Sequence, residues 1–151
     1  MGDYMNCVIR YYCNDDFEMV KSILINSFPE VNDLLEKSLI SYKNLDLDKN
    51  KYIQLVAEVE GKTVGYLLAS WSFDPVVSRM NMWVDYVCVD DNYRGRGIAM
   101  EILIKLEEIA KEENVMFLQL TSSRFRTSAR KLYSDLGFSL RESDIFRKVL
   151  E

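Results

Sequence analysis

An α/β (α+β) fold, with one sheet of six to seven strands and about four helices, is the architecture this sequence predicts. Short β-prone runs alternate with amphipathic helical runs along most of the chain. The middle of the chain holds three β-prone runs in succession, joined by segments too short to contain a helix. The length of 151 residues, 48% of them hydrophobic, suits a single domain spanning 1–151 with one core.

Asn6 to Tyr12 is the first β-prone run. Asn14 or Asp15 is placed to cap a helix whose apolar residues Phe17, Val20, Ile23 and Leu24 recur at helical spacing. Pro29 ends or re-aims that helix. A second amphipathic run sets Val31, Leu34, Leu35, Leu39 and Tyr42 on one side, before a polar loop from Asn44 to Lys51. Tyr52 to Glu60 and Thr63 to Phe73 flank Gly61-Lys62, a two-residue turn beginning with Gly that suits an antiparallel hairpin. Asp74-Pro75 opens another turn, and Met80 to Val89 is the next strand, rich in Val, Tyr and Trp. Ile98, Ile102, Leu103, Leu106, Ile109 and Ala110 then predict a helix from about Gly97 to Glu113. Val115 to Leu120 reads as a strand, and Thr127 to Leu136 as a shorter helix ended by Gly137. One or two closing strands are expected between Phe138 and Leu150.

Nineteen Lys and Arg against 24 Asp and Glu give a net charge of −5, which argues against a nucleic-acid surface and is compatible with a cationic substrate. The chain has no His, so Ser-His-Asp and Cys-His catalysis is excluded, and any acid or base comes from Asp, Glu, Tyr, Cys, Lys or the backbone. Cys7, Cys13 and Cys88 lack metal-ligand spacing, so no metal is expected, and their odd number suits a reduced, cytoplasmic protein. No basic-then-apolar leader opens the sequence, and no apolar run approaches the roughly 20 residues of a membrane span.

The most informative segment lies between the Val89 strand and the Gly97 helix. Asp90-Asp91-Asn92-Tyr93-Arg94-Gly95-Arg96-Gly97-Ile98-Ala99 brings two glycines and two arginines to a helix entrance. Unpaired backbone N–H groups and the positive end of the helix dipole favour an anion there, and the glycines let a pyrophosphate approach. On these residues alone, a plain strand-to-helix turn with solvated arginines is an equal reading. Other phosphate loops fit worse: no Gly-Lys-Ser/Thr follows, and Met100 stands where the dinucleotide fingerprint has its third glycine. Ser128-Ala129-Arg130-Lys131 matches the Ser-x-x-Lys acyl-enzyme pattern, without that pattern's companion motifs.

Arg94-Gly95-Arg96-Gly97-Ile98-Ala99 resembles the Arg/Gln-x-x-Gly-x-Gly/Ala signature of the GNAT family of N-acetyltransferases. Ala129-Arg130-Lys131-Leu132-Tyr133-Ser134-Asp135-Leu136-Gly137-Phe138 resembles that family's second motif, Ala-x-x-x-Tyr-x-x-x-Gly-Phe, and follows in the family's order. The specific resemblance covers about residues 82 to 140. It implies a mixed sheet in which the strand ending at Val89 and the strand Val115 to Leu120 run parallel and splay apart around acetyl-coenzyme A. Main-chain groups of Val87, Cys88 and Val89 would bind pantetheine, and those of Arg94, Gly95, Arg96, Gly97, Ile98, Ala99 and Met100 the pyrophosphate. Arg126 stands where many members have Asn, which leaves Ser128 as the substitute contact. A homodimer formed through the closing strands would also be in keeping with the family.

The implied activity is transfer of an acetyl group to a primary amine by direct attack, with Tyr133 protonating the departing thiolate. An aromatic packing on the helix is the alternative for Tyr133. Asp85 is the candidate base; strand alternation sets it on the face of Trp83, Val87 and Val89. Base, ammonium-binding group and bystander are all open for it, with Glu58 and Glu60 as alternatives. Cys88, inside an apolar strand, reads as a packing thiol. Asp74 and Asp85 suit a cationic small molecule such as a polyamine, amino sugar or amino acid, while a protein amine is a further candidate. A non-catalytic acetyl-coenzyme A sensor is the reading from another class, and a nucleotide-binding regulator a third.

Overall fold

The computed structural model describes residues 6–31 and 45–150. Among them are one five-stranded sheet and three α-helices, fewer of each than the sequence predicts. The expected second helix lies outside the described residues.

The chain forms two compact units, residues 1–121 and residues 122–151. In the first unit, β1 (Cys7–Tyr11), β2 (Tyr52–Val59), β3 (Lys62–Asp74) and β4 (Arg79–Val89) pair antiparallel in sequence order. β5 (Leu118–Gln119) adds to β4 in parallel. Helix α1 (Phe17–Ser27) covers one face of this sheet and α2 (Ile98–Glu112) the other. Their apolar stripes are those the sequence marks: Phe17, Val20, Ile23 and Leu24 are buried on α1, and Ile98, Ile102, Leu103, Leu106, Ile109 and Ala110 on α2. Burial of each large aliphatic among them contributes about 1.5–3 kcal/mol.

The α1 face carries Val56, Tyr66, Leu68 and Cys88. The α2 face carries Ala57 and Gly65, and a Cβ on Gly65 would lie 2.9 Å from Ile102 Cδ1 and 3.3 Å from Ile98 Cγ2. Gly65 therefore sets how closely the start of α2 approaches the sheet.

Several elements differ from expectation. The β2–β3 turn is Glu60-Gly61, one residue earlier than predicted, with φ of 50° and 77°; both positive values fit the tight hairpin that matches strand twist. Helix α1 begins at Phe17, after a 3₁₀ turn over Asn14–Asp16, so the predicted caps Asn14 and Asp15 lie inside that turn. Asp16 at its end is only 3% exposed. It accepts hydrogen bonds from Arg10 (2.8 Å), Thr63 Oγ1 (2.6 Å) and the Cys13 N–H (2.9 Å). Burial raises its pKa, but these bonds outweigh burial and hold the carboxyl well below the usual carboxylate range.

The second unit holds α3 (Thr127–Asp135), ended as predicted by Gly137 at φ 85°. The closing strands are absent: residues 138–150 form no regular element. Their apolar residues Leu140, Ile145, Phe146, Val149 and Leu150 do not alternate with polar ones at the period of two that a half-buried strand needs, and all five are exposed.

Candidate active site

β4 carries one residue more than β3 over their shared length. Leu68 pairs with Tyr86 and Ala69 with Val84, leaving Asp85 as the extra residue of a β-bulge. The bulge reverses the strand's phase. Trp83, opposite Ser70, lies on the α1 face, whereas Val87, opposite Leu67, lies on the α2 face. The expected shared face of Trp83, Asp85, Val87 and Val89 is thus corrected, because simple alternation cannot count across a bulge. Asp85 and Tyr86 are consecutive and both exposed, as two residues on one side of a bulge are. Burial raises the Tyr66 hydroxyl to about 12, with Cys88 and then Asp85 adding to the rise.

The other carboxylate candidates fare differently. Glu58 is bound by Arg10 through Nε and Nη2, both at 2.9 Å, on a strand separated from β4 by β3. Glu60 sits in the hairpin turn. Cys88 is buried in the apolar cluster beneath α1, the packing position its strand context predicts.

The parallel partnership of β4 is brief. β5 pairs with it only at Met82 and Trp83, extended backward by the Met116 N–H to the Met80 carbonyl (2.9 Å) and the Met82 N–H to the Phe117 carbonyl (3.1 Å). β5 ends at Gln119, opposite Trp83, while β4 continues to Val89 through Val87 and Cys88.

At the end of β4 the chain turns through Asp91–Tyr93 and enters α2. Gly95 (φ 72°) and Gly97 (φ 81°) both hold left-handed backbone, which side chains disfavour. A Cβ at either would meet no protein atom within 4 Å, so the space beside the loop is open. Gly97 caps α2 without any side-chain hydrogen bond to the first-turn N–H groups. Ile98 anchors the entrance in the core, while Ala99 and Met100 are half-buried. These features fit an anionic group approaching the backbone.

Arg94 is partly engaged within the loop: Nη2 meets Asp91 Oδ1 at 2.8 Å and Nε donates to the Val89 carbonyl at 3.3 Å. Arg96 lies over the Tyr93 ring at 5.3 Å, and Lys62 lies over the same ring at 5.4 Å. Nothing in the sequence sets Lys62 beside Tyr93, because a lysine so far upstream gives no local sign that the hairpin returns it to this loop.

In the second unit, the Phe138 N–H donates to the Tyr133 carbonyl (2.9 Å) and the Gly137 N–H to the Ser134 carbonyl (3.0 Å). This is the crossed bonding of a Schellman cap, and its usual apolar contact is the Tyr133–Phe138 pair, edge to face at 5.9 Å. The Tyr-x-x-x-Gly-Phe pattern therefore has a structural cause, and it leaves the Tyr133 ring half-buried. Ser128 is exposed in the first turn of α3. Among the described residues no three His, Cys, Asp or Glu gather as metal ligands, and no helix is long and apolar enough to cross a membrane.

A human protein, N-acetyltransferase 8B, is 32% identical over 83 residues, which are 55% of this chain and 37% of that relative; the chain thus spans little more than a third of its length. Among solved structures, an integron cassette protein of V. cholerae superposes with TM-score 0.81 at 20% identity, over 97% of this chain and 94% of that one. The aminoglycoside N-acetyltransferase AAC(6')-Iy, solved in complex with CoA, superposes with TM-score 0.77 at 18% identity, over 99% and 98% of the two chains. The description of the acetyltransferase (GNAT) family matches residues 17–138, and the chain belongs to that family.

Proposed function

We propose that this chain, acting as one acyl-transfer domain, moves an acetyl group from acetyl-coenzyme A to a primary amine by direct attack in a ternary complex. The observation that carries this reading is the end of the β4–β5 pairing at Trp83, ahead of a left-handed glycine turn and a helix entrance without a side-chain cap. Main-chain groups of Val87, Cys88 and Val89 would hold the pantetheine arm. Those from Arg94 to Met100 would hold the pyrophosphate, with Arg96 and Lys62 adding positive charge. Ser128 would add a polar contact.

Acetyl-coenzyme A supplies an activated thioester; the chain supplies orientation and proton movement. A primary amine with a pKa near 10.4 is mostly protonated at neutral pH, so Asp85 is assigned to accept its proton. The N–H of Cys88 or Val89 is assigned to the charge that develops on the carbonyl oxygen. Tyr133 is assigned, from its place in the second motif, to donate a proton to the thiolate. The Arg10 bonds of Glu58 leave Asp85 as the carboxylate best suited to the role.

A thermal-shift titration with acetyl-coenzyme A, followed by thiol release with an amine panel, tests the proposal. Stabilisation together with amine-dependent thiol release is expected. Stabilisation without release from any amine would make the chain a sensor, and stabilisation by ATP or NAD but not by coenzyme A would overturn the cofactor as well.

A further inference from the structure

Along the α1 face of β4 lie Asn81, Trp83 and Tyr86, with Asp85 at the bulge between the last two. We infer that this row is the acceptor site for a linear polyamine lying extended along β4, its reacting amine at Asp85 and a distal nitrogen at Asn81. The inference rests on the acyl-transfer reading above and names the substrate of that site.

Trp83 and Tyr86 are 37% and 46% exposed, so both rings offer surface to a ligand. The bulge makes them successive neighbours on one face, and Phe28 packs edge-on against Tyr86 at 5.4 Å, which holds that ring in place. Aromatic faces attract alkylammonium groups and also cover the methylenes between them. Asp85 supplies the countercharge between the two rings.

The far end of the row carries the second observation. Asn81 is 4% exposed, and its Oδ1 has no hydrogen-bond partner among the described residues. A buried acceptor without a donor is costly, and an ammonium or secondary amine N–H would satisfy it once the terminal amide rotates toward the row. Asn81 and Asp85 stand four residues apart, about 13 Å along a strand, a span suited to a triamine and too long for a short monoamine. Ser70 and Ser72 face Trp83 and Asn81 across the β3 pairing and add hydroxyl acceptors along the same path.

Calorimetric titration of the whole chain with spermidine and with butylamine tests this, using wild type, Trp83→Ala and Asn81→Leu, with thiol release from acetyl-coenzyme A measured in parallel. Spermidine should bind about tenfold or more tightly than butylamine, in keeping with an added polar contact to a charged group. Trp83→Ala should weaken spermidine about 3- to 30-fold. Asn81→Leu, which removes an orphaned acceptor and so leaves folding intact, should erase the spermidine advantage while butylamine binds as before. Equal affinity for the two amines, or unchanged spermidine binding in both variants, overturns the inference. Spermidine binding of the expected pattern without thiol release sustains the row and overturns acyl transfer. Thiol release with an aminoglycoside, without spermidine binding, does the reverse.

Discussion

Tyr133 is held by its own motif, with its carbonyl in the helix cap and its ring against Phe138. Tyr133→Phe should lower kcat about 10²-fold through loss of the proton donor, beyond what any change in its melting temperature explains. Circular-dichroism melting beside steady-state thiol release separates the two effects. Asp85 is exposed and supports no core contact, so Asp85→Asn should fold normally. Its kcat should fall by about 10²–10⁴ and its pH–rate profile should lose the limb set by the base. A profile matching wild type in height and shape would remove Asp85 from the reaction. The sequence shows both residues, but not why Tyr133 is so placed: a cap is read from backbone bonds, whereas the sequence offers only Gly137 as its mark.

Among the elements, α2 and its entrance are the most legible in the sequence, because helical periodicity and glycines at a helix start are local signals. The least legible features are set by pairing between strands. Nothing in Trp83-Val84-Asp85-Tyr86 announces an extra residue, since a bulge exists only relative to the partner strand. The early hairpin turn at Glu60 is similar, for a glutamate at positive φ is not what composition suggests. Helix and sheet are coupled at Gly65, opposite Val89 and beneath Ile98 and Ile102. Gly65→Val should overpack this contact, lowering stability by about 1–3 kcal/mol in urea unfolding. It should also weaken acetyl-coenzyme A binding by displacing the start of α2. Undiminished affinity would show that the loop is set independently of the sheet.

For the molecule as a whole, the charged network of Arg10, Asp16, Glu58 and Thr63 ties β1, the turn before α1, β2 and β3 together. The folded-state carboxyl of Asp16 lies below its unfolded value of about 3.9, so its stabilisation is complete above that pH and is lost as the pH falls further. Asp16→Asn should cost about 2 kcal/mol at pH 6, and the gap from wild type should narrow below about pH 4 in denaturant titrations. A gap that widens in acid would contradict the assignment. Sequence reading did not find this network, because a buried aspartate and a solvated one look alike until the chain is folded. The glycine turn before α2 is legible, since Gly95 and Gly97 mark it directly.

The bulge has a consequence for what the sheet requires of its own chain. Val84 and Tyr86 already face consecutive residues of β3, so shortening β4 by removing Asp85 would give an unbroken ladder with every other side chain on its present face. That deletion should therefore be tolerated by the fold and yet abolish acetyl transfer, a combination that melting and thiol release on the deleted protein would reveal. Asp85 would then be the one position in its strand kept for chemistry and dispensable to architecture.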